Sequence, residues 1–316
     1  MGCEWIGVSS DMRISRLILL AAFAGPLWAQ EAKFSTGVDL VTLLATVRDA
    51  RGLLAKNLSR DDFVLQEDGV PQTIRYFSRE SDLPLTIGLL VDTSQSQLHV
   101  LEPERRASYA FLDQVIREDQ DQAFVAHFDV HVEVLQGLTS SRKDLASALG
   151  RLRVPNALST LLYDAIRDCS ENPMRKQKGR KAFILLSDGA DFRSKTSLGT
   201  AIEYAQRADT IIYSILFAEP LRPYRPLRST VLAVSRDRGR KVMRRLAAET
   251  GGAFFEVTKD DPIEKIYAQI EETLRNQYSL AYTPERKGVS GQYHKIKLTA
   301  KRPGPIMQTR DGYYSK

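Results

Sequence analysis

Cysteine is nearly absent from this 316-residue chain: Cys3 and Cys169 are the only two. Cys3 precedes the first apolar stretch, so it is not placed like a lipid-modified cysteine, and a chain processed beyond that stretch keeps Cys169 alone. That excludes a disulfide framework, and the apolar helical spacing around Cys169 marks a core thiol. Histidine is also scarce, and His99, His127, His131 and His294 are scattered over helix and strand positions that suit packing or surface roles. The sequence contains no Gly-x-Ser-x-Gly elbow, no His-Glu-x-x-His helix, no phosphate loop and no Gly-x-Gly-x-x-Gly fingerprint, which removes the common hydrolase, zinc-peptidase and nucleotide-binding classes. The net charge of +6 does not by itself imply a nucleic-acid partner. What is present, 43% hydrophobic and 27% charged residues, describes a globular chain with one sizeable core and a smaller unit.

The N-terminus reads as an export signal. Arg13 and Arg16 precede the apolar stretch Leu17 to Ala29, which falls short of the roughly 20 residues that span a bilayer. Cleavage fits after Ala29 or after Ala24, and an uncleaved stretch would give the chain its only membrane contact. The expected location is outside the cytoplasm, either periplasmic or secreted. The expected organisation is a signal peptide over 1–29, a strand-rich segment over 30–82, an α/β domain over 83–277 and a second strand-rich segment over 278–316.

Within 83–277, apolar strand patterns alternate with helical ones, which predicts a doubly wound, mostly parallel sheet. Strands are expected at Leu83 to Val91, Gln122 to Phe128, Val130 to Leu135, Lys181 to Leu186, Thr210 to Phe217 and Ala253 to Val257. Helices are expected from Pro103, with Ala107, Ala110, Phe111, Val115 and Ile116 on one face, from Leu161, and near Leu198 to Arg207, Val242 to Thr250 and Pro262 to Asn276. The flanks supply strands at Val38 to Val47, Phe63 to Glu67, Gln72 to Phe77, Tyr278 to Tyr282, Tyr293 to Ala300 and Ile306 to Tyr314. Neither flank has enough strands for its own sandwich, so a composite one built from both is expected.

Three segments carry oxygen donors in a suggestive setting. Asp92-Thr93-Ser94-Gln95-Ser96 follows the first apolar strand of the α/β domain, Thr160 stands where a helix opens, and Asp188-Gly189 ends a strand buried on both faces. Carboxylates and hydroxyls without His or Cys suit Mg²⁺, Mn²⁺ or Ca²⁺. Each segment also has an ordinary reading: a side-chain-to-backbone turn for the first, an N-cap for Thr160 and a turn for Asp188.

Together, Asp92, Ser94, Ser96, Thr160 and Asp188 follow the order of the metal-ion-dependent adhesion site, and over Leu83 to Gln277 the chain resembles the von Willebrand factor type A family. Asp61-Asp62-Phe63, Glu67-Asp68-Gly69, Tyr282-Thr283-Pro284 and Arg310-Asp311-Gly312-Tyr313-Tyr314 extend the likeness to the bacterial VWFA-related acidobacterial subgroup. Leu158-Ser159 stands where many members carry glycine before the threonine, and Gln95 stands where glycine is common. The resemblance implies that Ser94, Ser96 and Thr160 touch a divalent cation, Mg²⁺ first among the candidates, while Asp92 and Asp188 neutralise it partly through water. It further implies a coordination position that an acidic side chain of a partner protein completes, and a non-catalytic adhesion or scaffold role.

Between Arg222 and Arg245 there are nine basic residues and one acid, Asp237, with Pro220, Pro223 and Pro226 keeping the first part out of helix. This reads as an insertion near the site edge whose Arg222, Arg225, Arg228, Arg236, Arg238 and Arg240 form either a solvated loop or a surface for an anionic partner. Nucleic acid is not expected, because Tyr224 alone interleaves these bases. Two other readings stand beside adhesion. One is an assembly protein with a vestigial metal site. The other is a metal-dependent phosphohydrolase of the haloacid dehalogenase type, which normally needs a second carboxylate where this chain has Ser94.

Overall fold

The computed structural model describes residues 40–79, 83–156, 158–217, 226–285 and 289–315, the side chains of 226–235 excepted. The expected export signal lies outside these residues, as do Arg222, Arg225 and the side chain of Arg228. Among the described residues no helix is long and apolar enough to cross a membrane.

The N-terminal flank supplies four strands: β1 (Val41–Arg48), β2 (Phe63–Glu67), β3 (Val70–Gln72) and β4 (Tyr76–Arg79). The single strand expected over Gln72 to Phe77 is therefore two. The α/β domain follows as β5 (Leu85–Asp92), α1 (Leu101–Val115), β6 (Gln122–Phe128), β7 (Val132–Thr139), α2 (Arg142–Arg151), α3 (Leu162–Glu171), β8 (Arg180–Ser187), α4 (Leu198–Arg207), β9 (Ile211–Leu216), α5 (Pro226–Thr250), β10 (Phe254–Glu256) and α6 (Ile263–Arg275). The C-terminal flank adds β11 (Tyr278–Tyr282), β12 (Tyr293–Ala300), β13 (Ile306–Gln308) and β14 (Gly312–Tyr314).

The central sheet runs β10-β9-β8-β5-β6-β7, parallel except for β7. Every residue of β5, β8 and β9 is buried, so these strands read as continuous apolar runs rather than alternating ones. Their side chains still divide by the two-residue period. Ile87, Leu89, Val91, Ile184 and Leu186 pack with α1, α2 and α6, whereas Leu90, Phe183 and Leu185 pack with α3, α4 and α5. Helices on both faces make this the expected doubly wound α/β sheet.

Chain order reverses between β5 and β8. From β5 the chain builds outward through β6 and β7, then crosses back to lay down β8, β9 and β10 on the other side. Two parallel strands thus diverge in connectivity at their carboxyl ends, and in open α/β sheets that crevice is where ligands bind.

The flanks form two four-stranded antiparallel sheets, β13-β1-β11-β4 and β14-β12-β2-β3, so each sheet combines strands from both ends of the chain. Strand β12 alternates exposed and buried positions, which places one face on a core shared by Leu43, Phe63, Leu65, Tyr278, Leu280, Ile296 and Leu298. The expected composite sandwich is therefore present. The single strand expected over Ile306 to Tyr314 is instead β13 and β14, one in each sheet, because the chain breaks between them.

Other differences have local causes. Helix α2 is short and polar enough to have escaped the periodicity, and it is opened by Ser141, whose hydroxyl accepts from the Asp144 amide. Helix α1 begins at Leu101 rather than Pro103, and Ala110 faces solvent, while Glu104 lies on the buried stripe with Leu101, Ala107 and Phe111. Helix α5 begins at Pro226, sixteen residues before the expected Val242, because a proline is well tolerated at the first helical position.

Gly88, in the middle of β5, stands in register between Phe124 of β6 and Phe183 of β8. Those rings meet edge to face at 6.3 Å, and a Cβ on Gly88 would lie 2.5 Å from Phe124 and 2.7 Å from Phe183. Gly88→Ala is expected to destabilise the protein by about 1–3 kcal/mol through overpacking, read as a lower urea midpoint at unchanged m-value.

Candidate metal centre

Strand β5 ends in Asp92, whose carboxylate is fully buried and held at both oxygens. One accepts from the Ser94 amide at 2.9 Å and the other from the Ser187 hydroxyl at 2.6 Å. The first bond is the side-chain-to-backbone turn that an Asp-x-Ser loop forms in any context. The second is not local: it ties the end of β5 to the end of β8. Ser187 also accepts from the Gly189 amide at 3.0 Å, which orients the Asp188-Gly189 turn beside Asp92.

The two serines converge. Ser94 Oγ and Ser96 Oγ are 3.0 Å apart, Ser94 buried and Ser96 exposed, so the pair points from the interior toward the surface. Gln97 is buried beneath them, with its amide nitrogen 3.3 Å from Ser96 Oγ and its carbonyl oxygen without a partner.

Charge is concentrated here with one sign. Burial first, and the Asp188 carboxylate second, push Asp92 up to about 7. Glu104, 1% exposed on α1, has both carboxylate oxygens without a partner, and burial followed by the charges of Asp92 and Asp188 holds it well above the ordinary carboxylate range. Among the described residues none forms an ion pair with Asp92, Asp188 or Glu104. An isolated buried anion costs several kcal/mol, and Asp92 and Glu104 are buried with Asp188 half-buried beside them, so the charge of these residues fits a divalent ion. The donors are all oxygen, which fits Mg²⁺, Mn²⁺ or Ca²⁺.

Thr160 is not an N-cap. Helix α3 begins after Leu161 and has no side-chain cap bond, so the ordinary reading of Thr160 falls away. Its backbone instead makes a two-way bridge to Phe192, at 3.1 and 2.9 Å, which joins the threonine loop to the segment following Asp188. Ser159 adds a bond from its hydroxyl to the same Phe192 carbonyl at 3.0 Å. Ser159 thus fastens the loop that glycine would leave freer.

Asp129, in the short connection between β6 and β7, binds the loops together. Its carboxylate accepts from the Thr93 hydroxyl at 2.7 Å and from the His131 amide at 3.2 Å, and its carbonyl accepts from the Leu161 amide at 3.1 Å. Thr93 and the Leu161 amide next to Thr160 are thereby held by one residue. Glu104 was missed in the sequence, although its helical spacing from Leu101 and Ala107 places it on the apolar stripe and was legible in principle.

The Asp188 loop is braced from behind by α5. A Cβ on Gly189, where φ is +78°, would lie 2.4 Å from the Gly239 carbonyl, and a Cβ on Gly239 would lie 2.1 Å from the Asp188 carbonyl. Only glycine allows these backbones to approach so closely. The basic residues of α5 are largely engaged: Arg240 forms two bonds to Glu256 at 2.9 and 2.7 Å, Arg236 stands 3.6 Å from the same carboxylate, and Arg238 is exposed. The described part of the basic segment is therefore helical, and Arg236 and Arg240, two of the arginines named for an anionic surface, are paired with Glu256 within the protein.

No protein-family model matches the sequence, and no curated protein matches it. Several solved structures are similar in fold. The von Willebrand factor type A protein from Catenulispora acidiphila shares 13% identity over 83% of this chain and 75% of that one, with a TM-score of 0.49. Proximal thread matrix protein 1 from the mussel byssus, with a zinc-occupied MIDAS motif, shares 14% identity over 67% of this chain and 50% of that one, with a TM-score of 0.48. The vWF domain of the type V pilus tip protein Mfa5 from Porphyromonas gingivalis shares 12% identity over 61% of this chain and 95% of that one, with a TM-score of 0.46. The chain spans about half the length of the thread matrix protein.

Burial disfavours the Asp129 carboxylate, but its hydrogen bonds to His127 and Thr93 and to the backbone outweigh that and hold it down at about 2. A depressed carboxylate stabilises the fold above its unfolded value, near 4, and loses that contribution as pH falls through 2. Tm of the wild type is expected to fall more steeply from pH 4 to pH 2 than that of Asp129→Asn. Parallel curves would remove this role from Asp129.

Proposed function

We propose that this chain, whose central unit has the von Willebrand factor type A architecture, is a non-catalytic protein-binding module that uses a divalent cation to capture an acidic side chain of another protein. The observation that carries the reading is the unneutralised carboxylate group formed by Asp92, Asp188 and Glu104 beneath the paired hydroxyls of Ser94 and Ser96. Ser94, Ser96 and Thr160 would hold the ion, and Asp92 and Asp188 would balance its charge. A bound cation supplies a positive charge to which a partner carboxylate can be joined.

The residues around it have roles of their own. Ser187 fixes Asp92 in one rotamer, Asp129 fixes the first two loops, and Gly189 against Gly239 fixes the third. Leu98, Leu158 and Phe192 are exposed, at 54%, 77% and 53%, and all three lie within two residues of a proposed ligand or its bridging partner. They give the mouth of the site an apolar rim that a protein partner would cover. An extracytoplasmic location is part of the same proposal and is supported by the apolar stretch Leu17 to Ala29 behind Arg13 and Arg16.

Calorimetric titration of the full chain with Mg²⁺, Mn²⁺ and Ca²⁺, beside an Asp92→Ala, Ser94→Ala double variant, tests the reading. Saturable heat is expected from the wild type with at least one of the three ions and none from the variant. Equal heats, or none from either protein, would move the function to the sandwich or the basic helix and favour the assembly reading.

Charge relief has its own signature. In chelator at pH 8, Asp92→Asn is expected to be more stable than the wild type by about 1–2 kcal/mol, because it removes one of the repelling carboxylates. Saturating cation should reverse that order. An Asp92→Asn protein that is less stable in both conditions would contradict the electrostatic account.

A further inference from the structure

A second group of metal-ligand type lies within the composite sandwich. Glu67 ends β2, Asp68 occupies the turn into β3, and His294 lies on β12. One ligand atom from each falls within 4.8 Å of the others. His294 Nδ1 is 2.8 Å from Asp68 Oδ2 and 3.3 Å from Glu67 Oε1. Adjacent donors around an ion with bonds of about 2.1 Å stand about 3.0–3.4 Å apart, so the imidazole nitrogen stands from each carboxylate oxygen at close to the spacing of a coordination shell.

Each donor is held in place by a group outside the triad. Glu67 is 6% exposed, and its other oxygen accepts from the Tyr282 hydroxyl at 2.5 Å. Asp68 sits at φ +48°, and its other oxygen accepts from the Lys295 amide at 2.8 Å. The His294 ring is 6% exposed and stacks on Tyr313 at 5.3 Å. Its Nε2 is buried with no partner, so the ring makes its polar contacts only through Nδ1, toward the two carboxylates.

Charge points the same way. Among the described residues no lysine or arginine pairs with Glu67 or Asp68, and His294 is the only basic side chain that meets them. A single Nδ1–H serves one carboxylate well, and here it is shared between Asp68 at 2.8 Å and Glu67 at 3.3 Å. We infer that Glu67, Asp68 and His294 form a second cation site, for a first-row transition-metal dication of the Zn²⁺ type. An imidazole with two carboxylates suits such an ion and distinguishes this site from the all-oxygen one, which suits Mg²⁺ or Ca²⁺. Asp68 is exposed, which gives the ion a way in.

The ion would act as a staple. Glu67 and Asp68 belong to the N-terminal flank, whereas His294 and the supporting Tyr282 and Tyr313 belong to the C-terminal one. A metal bound by both closes a chain loop of more than two hundred residues and adds its binding free energy to the folded state.

The test uses the full chain carrying Asp92→Ala and Ser94→Ala, which silences the all-oxygen site, after dialysis against chelator. Titration with Zn²⁺ is expected to show one saturable site, and Zn²⁺ at about 100 times its Kd should raise Tm by about 5 °C. Mg²⁺ should do neither. Both responses should vanish in Asp68→Asn, which keeps an acceptor for the Lys295 amide on an exposed turn and is therefore expected to fold, and in His294→Gln. Zn²⁺ binding that survives Asp68→Asn, or no Zn²⁺ response before that change is made, would overturn the inference. If His294→Gln does not fold, Asp68→Asn decides alone.

Discussion

Two carboxylates of like sign, Asp92 and Asp188, close the ends of neighbouring parallel strands, and the loops around them are built to keep them there. The Ser187 hydroxyl holds Asp92 at the seam between β5 and β8, while the backbone of α5 at Gly239 presses on the Asp188-Gly189 turn from behind. A protein selected for stability alone would relax this repulsion by substitution or by rotating one carboxylate into solvent. Here one is fully buried, and a third, Glu104, is buried on the adjacent helix without a partner. Such local conflict is characteristic of sites where binding rather than folding sets the residue.

The rest of the architecture supplies rigidity to that point. Continuous apolar strands buried between two helix layers fix the ends of β5 and β8 to within side-chain distance, and the close approach at Gly88 lets Phe124 and Phe183 pack across the middle of the sheet. The sandwich is made from segments at opposite ends of the described chain, so the α/β domain is inserted between halves of a second core. Its folding joins residues more than two hundred positions apart, and Glu67, Asp68 and His294 meet at that junction.

The sequence was most legible where one physical signal dominated. Apolar runs within Leu85–Asp92 and Arg180–Ser187 announced buried parallel strands, and helical spacing in Ile263–Arg275 announced a packed helix. Alternation in Tyr293–Ala300 announced a half-buried strand. It was least legible where tertiary contacts decide. The break between β13 and β14 follows from their joining different sheets, and Pro226 starts a helix instead of preventing one. At the candidate metal centre the oxygen-bearing residues were readable from their position after strands. The bonds that set their geometry, from Ser187 to Asp92 and from Thr93 to Asp129, cross between elements and leave no mark in local pattern. The bridge between Thr160 and Phe192 is of the same kind.

The central claim is that a cation belongs among these oxygens, and the most direct measurement is an anomalous difference map from crystals of the chain soaked in Mn²⁺. A peak about 2.2 Å from Ser94 Oγ and Ser96 Oγ, close to Asp92, Thr160 and Asp188, is the predicted result. An empty map at these serines in well-ordered crystals, or a peak confined to another part of the molecule, would contradict it.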